Sequence, residues 1–111
     1  MKEKYRSVGL DLDQIKEKYP NIQEYEEIAN AYLADPFFKD IKKYLEEEDY
    51  ELAKDALKGL FVLAQELRMY PLYIKLVDVY EDLDSELYDD TLKHYEECYK
   101  TYTKIRGIFY A

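Results

Sequence analysis

Apolar residues recur along the chain at spacings of three and four, and few segments alternate with a period of two. Spacings of three and four place side chains on one face of an α-helix. Only three glycines and three prolines occur in 111 residues, which leaves few positions for the tight turns of β-hairpins. The pattern therefore predicts an all-α fold.

Capping signals divide the first half of the chain into a short helix and a long one. Asp11 begins the short helix, which ends before Pro20, and Asn21 with Glu24 three residues later begins the second. Pro36 interrupts the second helix because its ring has no N–H and crowds the preceding turn. We expect a kink or a brief restart of the helix at that point.

Three further helix starts follow. Asp49 caps the third helix, and Pro71 lies in the first turn of the fourth. Asp84 or Ser85 caps the fifth. Because the four substantial helices are joined by only a few residues each, an antiparallel up-and-down four-helix bundle with a short leading N-terminal helix is the expected architecture. Residues 1–111 form one predicted domain, in which the charged, aperiodic residues 1–9 are expected to be disordered or extended.

The inward stripes of the second and third helices form part of the expected core, together with those of the later helices. Each stripe follows the helical spacing, so its members should face the other helices. In the second helix the stripe is Ile22, Tyr25, Ile28, Ala29, Tyr32 and Leu33, and in the third it is Leu52, Ala53, Ala56, Leu57, Leu60, Leu63, Ala64 and Leu67.

The charge balance excludes several classes of partner. Sixteen basic residues against 25 acidic ones give a net charge of −9. Nucleic acids and anionic membranes bind basic surfaces, so neither is expected as a partner. The longest apolar run has five residues, far below the roughly 20 that cross a bilayer. With Cys98 as the only cysteine and no apolar signal peptide, the cytoplasm is the expected location.

Catalytic and metal-binding patterns are scarce. His94 is the only histidine, and a zinc site would need more ligands than Glu97 and Cys98 beside it, so we interpret it as a solvated surface residue. The acidic run 46–49 lacks the spacing of a calcium loop. Phosphate-binding loops, nucleophile elbows and zinc-protease motifs are absent from the sequence. The sequence therefore predicts no enzymatic activity, no metal site and no cofactor.

The outward face of the third helix is the most informative surface. Gly59 lies in mid-helix, where glycine is about 1 kcal/mol less favourable than alanine. It either fills a tight helix crossing or leaves room for a partner to approach the backbone. Phe61 and Val62 point outward, where polar residues are usual, and a partner surface would explain them; ordinary scattered exposure is the alternative. The candidate face comprises Glu51, Lys54, Asp55, Lys58, Gly59, Phe61 and Val62.

Residues 55–59 read Asp-Ala-Leu-Lys-Gly, which resembles the His-x-Leu-Lys-Gly motif of histidine phosphotransfer (HPt) domains. The resemblance extends over roughly residues 9 to 107. Its other parts are Gly9-Leu10-Asp11 before a short helix, Asp35-Pro36 inside a long one, the segment 45–50 that leads to the motif, and Met69, Leu72 and Leu76 downstream.

The resemblance implies a role in phosphorelay signalling, but Asp55 stands where the family has its phosphoacceptor histidine. In such domains the motif lysine helps hold the phosphate and the glycine leaves space for it. A carboxylate could accept a phosphoryl group only with a bound Mg²⁺ and a cluster of acids, which this helix does not offer. Residues 60–63 also replace the small residues that usually follow the glycine, and Gln65 replaces a later glycine.

We therefore expect a phosphotransfer-like domain that docks a response-regulator receiver domain or a sensor histidine kinase without carrying phosphate. Asp55 would mimic part of the phosphohistidine charge, and Lys58 at i+3 could pair with it. Two alternatives stay open. One is an active phosphorelay intermediate that uses His94 as acceptor, and the other is a generic helical adaptor, although no repeat of about 34 residues is present.

Overall fold

The computed structural model describes residues 1–109, which form seven α-helices and no strand. The all-α prediction is confirmed. The helices are α1 (Lys2–Arg6), α2 (Leu12–Lys18), α3 (Ile22–Leu33), α4 (Phe37–Glu46), α5 (Tyr50–Glu66), α6 (Tyr70–Asp84) and α7 (Tyr88–Phe109).

The first residues of the chain are ordered, so the expectation that residues 1–9 are disordered or extended is wrong. Residues 2–6 form α1, and the side chain of Tyr5 is fully buried. Its ring packs edge-on against Phe109 with a centroid distance of 5.6 Å, and its hydroxyl donates to Glu26 at 3.1 Å. A five-residue helix held by one aromatic anchor is too short to produce a periodic signal in the sequence.

The predicted caps of α2, α3 and α5 are confirmed. The carboxylate of Asp11 accepts from the Gln14 backbone N–H at 3.2 Å. Asn21 accepts from the N–H of the second and third helical residues, and Asp49 accepts from Leu52 at 3.4 Å. Each of these side chains satisfies an N–H group that has no partner within the helix.

Pro36 separates α3 from α4, which confirms the brief restart. Helix α3 ends at Leu33 and α4 begins at Phe37. The Asp35 carboxylate accepts from the Phe37 N–H at 2.9 Å and so supports the first turn of the new helix.

Three-residue turns of one geometry join α4 to α5, α5 to α6 and α6 to α7. Each turn contains one residue in the left-handed region, namely Glu48, Arg68 and Glu86, with φ near 57 to 59°. In each, the following N–H bonds back to a carbonyl in the last turn of the preceding helix at 2.8 Å, the pattern of a Schellman motif. The predicted cap of the last helix at Asp84 or Ser85 is wrong, because α6 continues to Asp84 and Ser85 follows it.

Helix α5 packs between α4 and α6, α6 packs against α7, and α7 also contacts α3 and α4. The described residues form a body of 41 × 23 × 20 Å. Cys98 of α7 lies in its core, where burial raises the pKa of the thiol to about 12. Within residues 1–109, no helix combines the length and the apolarity that crossing a bilayer requires.

Four buried tyrosines connect helices through their hydroxyl groups. Each hydroxyl donates to a backbone carbonyl in another helix or just past its end, at 2.5 to 2.6 Å. The pairs are Tyr25 with Leu67, Tyr32 with Leu60, Tyr95 with Phe38, and Tyr102 with Leu33. Burial raises the pKa of the first three hydroxyls well above the ordinary value, so they stay protonated and keep donating.

Two of these carbonyls lie at helix ends, where no helical N–H reaches them. Leu67 follows the last residue of α5, and the left-handed Arg68 turns the chain away from the helix. Leu33 is followed at three positions by Pro36 and at four by Phe37, whose N–H is engaged by the Asp35 carboxylate. A buried carbonyl without a donor is costly, so these tyrosines stabilise the ends of α5 and α3.

Replacing Tyr25 by Phe should lower the free energy of unfolding by about 1–2 kcal/mol, because the buried Leu67 carbonyl loses its donor. Urea denaturation followed by circular dichroism measures the change. Tyr73→Phe is the matched control, since Tyr73 is half-buried and its hydroxyl forms no hydrogen bond with a described residue. An equal loss of stability in both variants would contradict the role assigned to Tyr25.

Candidate functional site

Helix α5 presents one face to the core and the opposite face to solvent. Its buried residues are Ala53, Ala56, Leu57, Leu60 and Ala64, which recur at helical spacing. The positions that the sequence predicts to face outward lie opposite these buried residues around the helix axis. Glu51, Asp55, Lys58, Gly59 and Val62 are all exposed, as expected for a surface open to a partner.

Gly59 lies on the exposed face with open space around it. A Cβ atom built at this position meets nothing within 4 Å. Of the two explanations offered by the sequence, a tight helix crossing is therefore excluded. The remaining explanation is that Gly59 leaves the α5 backbone accessible from outside.

Phe61 does not belong to the exposed face, and its expected outward orientation is wrong. The ring is half-buried in the seam between α5 and α6. It packs edge-on against Tyr73 and Tyr80, with centroid distances of 6.0 and 5.4 Å. These two tyrosines of α6 thus cover a side of α5 that helical periodicity alone predicts to face solvent.

Lys54 lies at the same seam and is engaged in ion pairs. Its ammonium group is 3.4 Å from Asp84 of α6 and 4.0 Å from Glu51 of its own helix. The hydrogen bond to Asp84 and the nearby charge of Glu51 raise the pKa of Lys54. Lys54 therefore belongs to the α5–α6 contact, at the edge of the exposed face.

Asp55 and Lys58 do not pair with each other. Among the described residues, neither side chain lies within 4.0 Å of an opposite charge. The i+3 ion pair expected from the sequence is thus absent. Both charges are consequently directed to solvent and remain available to an approaching partner.

Leu52 and Leu63 extend the exposed face, although both were expected in the core. Leu52 is 48% exposed and Leu63 is 47% exposed. Helix α3 reaches α5 through the long side chains of its tyrosines, which hold the two helices apart. The space between them is a cavity of about 490 Å³ lined by Ile28, Ala31 and Leu63 among others. Ile28, also expected in the core, is exposed there too.

His94 is paired and half-buried, so its interpretation as a solvated surface residue is wrong. Its Nδ1 atom bonds the carboxylate of Asp82, which α6 buries against α7. This bond and the charge of Asp82 raise the pKa of His94 above its ordinary value of 6.5, and the charges of Glu97 and Asp90 act in the same direction. The sequence did not reveal this pair, because Asp82 and His94 lie on different helices.

Within residues 1–109, no group of three or more His, Cys, Asp or Glu side chains could hold a metal ion. Comparisons with known proteins give no further guide to the site. Neither a family model, a curated protein nor a solved structure matches the chain.

Gly59→Ala should raise the free energy of unfolding by about 1 kcal/mol, because alanine favours the helix and its methyl group meets no neighbour. Urea denaturation tests this. Gly107 has equally open surroundings but lies in the last turn of α7, so Gly107→Ala should give a smaller gain. Destabilisation by Gly59→Ala would show that the backbone here is not free.

The His94–Asp82 pair should make stability depend on pH. Because the folded-state pKa of His94 is raised, its contribution is full below the unfolded value near 6.5 and is lost as pH rises through the folded pKa. We expect the free energy of unfolding to fall with rising pH in that window and to lose this slope in His94→Gln. Asp82→Asn should also flatten the slope. An unchanged slope in both variants would contradict the assignment.

Proposed function

We propose that this chain is a signal-transduction domain of the HPt type, an antiparallel up-and-down four-helix bundle preceded by α1 and α2. Its helical segments are α3 with α4, then α5, α6 and α7. In this proposal the domain acts in the cytoplasm and docks a response-regulator receiver domain or a sensor histidine kinase. Docking uses the outer face of α5 and does not involve transfer of phosphate.

The exposed, unobstructed Gly59 is the observation that carries the proposal. Glycine weakens a helix interior, so its presence there requires a compensating role. No neighbouring helix approaches it, since a Cβ would meet nothing within 4 Å. A partner loop that comes close to the α5 backbone supplies such a role. The glycine also lies in the register in which the phosphotransfer motif has it, after Asp55 and Lys58.

Asp55 and Lys58 supply the charges of the docking face. Because they do not pair with each other or with another described residue, each can meet an opposite charge on a partner. Exposed pairs contribute little to the stability of a fold, at most a few tenths of a kcal/mol. Their contribution is therefore to orientation and specificity of docking.

Apolar side chains around Gly59 supply the contact area. Val62, Leu52 and Leu63 are each close to half exposed on the same helix. Apolar area buried at the centre of an interface provides most of the favourable free energy of association. A face that combines exposed apolar side chains with unpaired charges fits a protein partner better than it fits a small molecule.

The surroundings of Asp55 support the proposed loss of phosphate transfer. The phosphorylation of an aspartate is normally assisted by Mg²⁺ held by further acids. Among residues 1–109, no such group of carboxylates exists. Asp55 therefore presents a fixed negative charge in place of a transferable phosphoryl group.

Binding to a panel of receiver domains and kinase dimerisation domains tests the docking face. Val62→Asp places a charge on an exposed apolar position of the face, and Lys58→Glu reverses one of its unpaired charges. We expect each to weaken binding by about tenfold or more, which corresponds to about 1.4 kcal/mol. Isothermal titration calorimetry measures both.

The matched controls are Ile74→Asp on α6 and Lys93→Glu on α7. Ile74 is 56% exposed, and Lys93 is exposed without a salt bridge to a described residue. Neither control should change affinity. Equal losses in the control variants, or binding that survives both α5 variants, would reject this face as the docking site.

Incubation with a receiver phosphorylated by labelled phosphate tests the absence of transfer. We expect the label to stay on the receiver or to be released as inorganic phosphate. Stable label on this chain would contradict the non-transfer part of the proposal while leaving the docking face open to the binding test.

His94 is the second candidate, as the acceptor of an active phosphorelay intermediate. The Asp82 carboxylate engages Nδ1 and thereby orients the ring, which leaves Nε2 for attack. In such a step the P–O bond of a receiver acyl phosphate breaks, a P–N bond forms at Nε2, and the receiver carboxylate leaves. Acid-labile label that disappears in His94→Gln would favour this function.

A further inference from the structure

We infer that the groove between α4 and α7 binds a small organic phosphate that carries an aromatic ring. The groove is open to solvent, has a volume of about 420 Å³ and is called the α4–α7 pocket below. Its volume lies within the range of pockets that hold small ligands. The lining residues are Lys39, Lys42, Tyr95, Glu96, Tyr99 and Lys100.

Aromatic rings form a fixed floor for the pocket. Tyr95 spans from α7 to α4, where its hydroxyl donates to the Phe38 carbonyl at 2.6 Å. The Tyr99 ring lies beside it, with centroids 6.0 Å apart, and also contacts Tyr102 at 5.3 Å. Tyr102 in turn stacks on Phe38 at 4.0 Å. A floor held on both sides in this way is preformed for a flat apolar group.

Three lysines surround this floor without ion-pair partners. None of the three forms a salt bridge with a described residue. Lys42 and Lys100 each have an acid four positions away on the same helix, at a spacing that commonly forms a pair. These acids are Glu46 for Lys42 and Glu96 for Lys100.

The concentration of positive charge is unusual for this chain. The pocket brings together three lysines and only one acid, Glu96, in a chain whose net charge is −9. Like charges lining one concave surface repel each other, and a bound anion removes that repulsion. A phosphate monoester, with up to two negative charges, matches this rim better than a neutral or cationic ligand.

The aromatic part of the ligand follows from the floor. A flat ring can stack on Tyr99, which is half-buried and therefore presents part of its surface to the cavity. The Tyr99 hydroxyl forms no hydrogen bond with a described residue, so it can donate to a ligand oxygen. Inorganic phosphate alone would leave this floor unused.

The pocket shares no residue with the outer face of α5. The inference therefore stands or fails independently of the proposed docking function. A ligand bound here would contact a surface to which both α4 and α7 contribute lysines above an aromatic floor.

Titration with 1-naphthyl phosphate, followed by ¹H–¹⁵N NMR, tests the inference. We expect saturable shifts of the amide signals of residues 95–100 and of residues 39–42. The neutral analogue 1-naphthol and inorganic phosphate should each bind at least about tenfold more weakly, because each lacks one of the two kinds of contact. Equal binding of 1-naphthol, or no saturable shifts with 1-naphthyl phosphate, would overturn the inference.

The variant Lys39→Gln/Lys42→Gln/Lys100→Gln should weaken 1-naphthyl phosphate binding by about a hundredfold or more, since it removes three charged contacts. The matched control is Lys16→Gln/Lys43→Gln/Lys93→Gln, which has the same net charge and changes only exposed lysines outside the pocket. All six lysines lie on the surface or its margin, so both variants should fold, as circular dichroism can verify. Equal weakening in the two variants would show that binding depends only on the overall charge of the protein. That result would contradict a specific binding site.

Adenosine monophosphate and free phosphotyrosine distinguish the source of the phosphate. Both carry an aromatic ring and a phosphate monoester, and the tighter binder identifies a nucleotide or a phosphorylated amino acid as the ligand class. Failure of both to displace 1-naphthyl phosphate would contradict a site for aromatic phosphates.

Discussion

Buried carbonyl oxygens at the ends of α5 and α3 take their hydrogen bonds from side chains of other helices. The left-handed turn at Arg68 leaves the Leu67 carbonyl without a helical donor, and Pro36 contributes to the same deficit at Leu33. Tyrosines from α3 and α7 supply the missing donors. Because an unsatisfied buried carbonyl costs as much as a sizeable part of a small domain's net stability, these contacts fix how α3 lies relative to α5 and α7.

The length of a tyrosine side chain has a further effect on the surface. Tyr25 and Tyr32 reach α5 through their hydroxyl ends, so the backbones of α3 and α5 stay apart and a cavity opens between them. Leu63 and Ile28 lie exposed at its edges. The bonds that hold the core together thus also create the apolar margin of the proposed docking face.

The sequence predicted the fold class, three helix caps, the break at Pro36 and the exposed part of the α5 face. These features depend on residues close together in the chain. It did not predict that Phe61 packs between helices or that His94 pairs with Asp82, because helical periodicity gives a direction around an axis and does not identify the neighbour in that direction. The lysines of the α4–α7 pocket were missed for the same reason, since two helices far apart in sequence contribute them. Helix α1 was missed because one buried ring carries no periodicity.

The burial of Cys98 has a consequence for the handling of the protein in an oxidising environment. Its thiol lies inside the core with a raised pKa, so hardly any thiolate exists and no oxidant reaches it while the chain is folded. Molecules that open transiently expose this sulfur and can become joined through it. The amount of covalent dimer that accumulates during storage would therefore measure how often the folded chain opens and exposes its single cysteine.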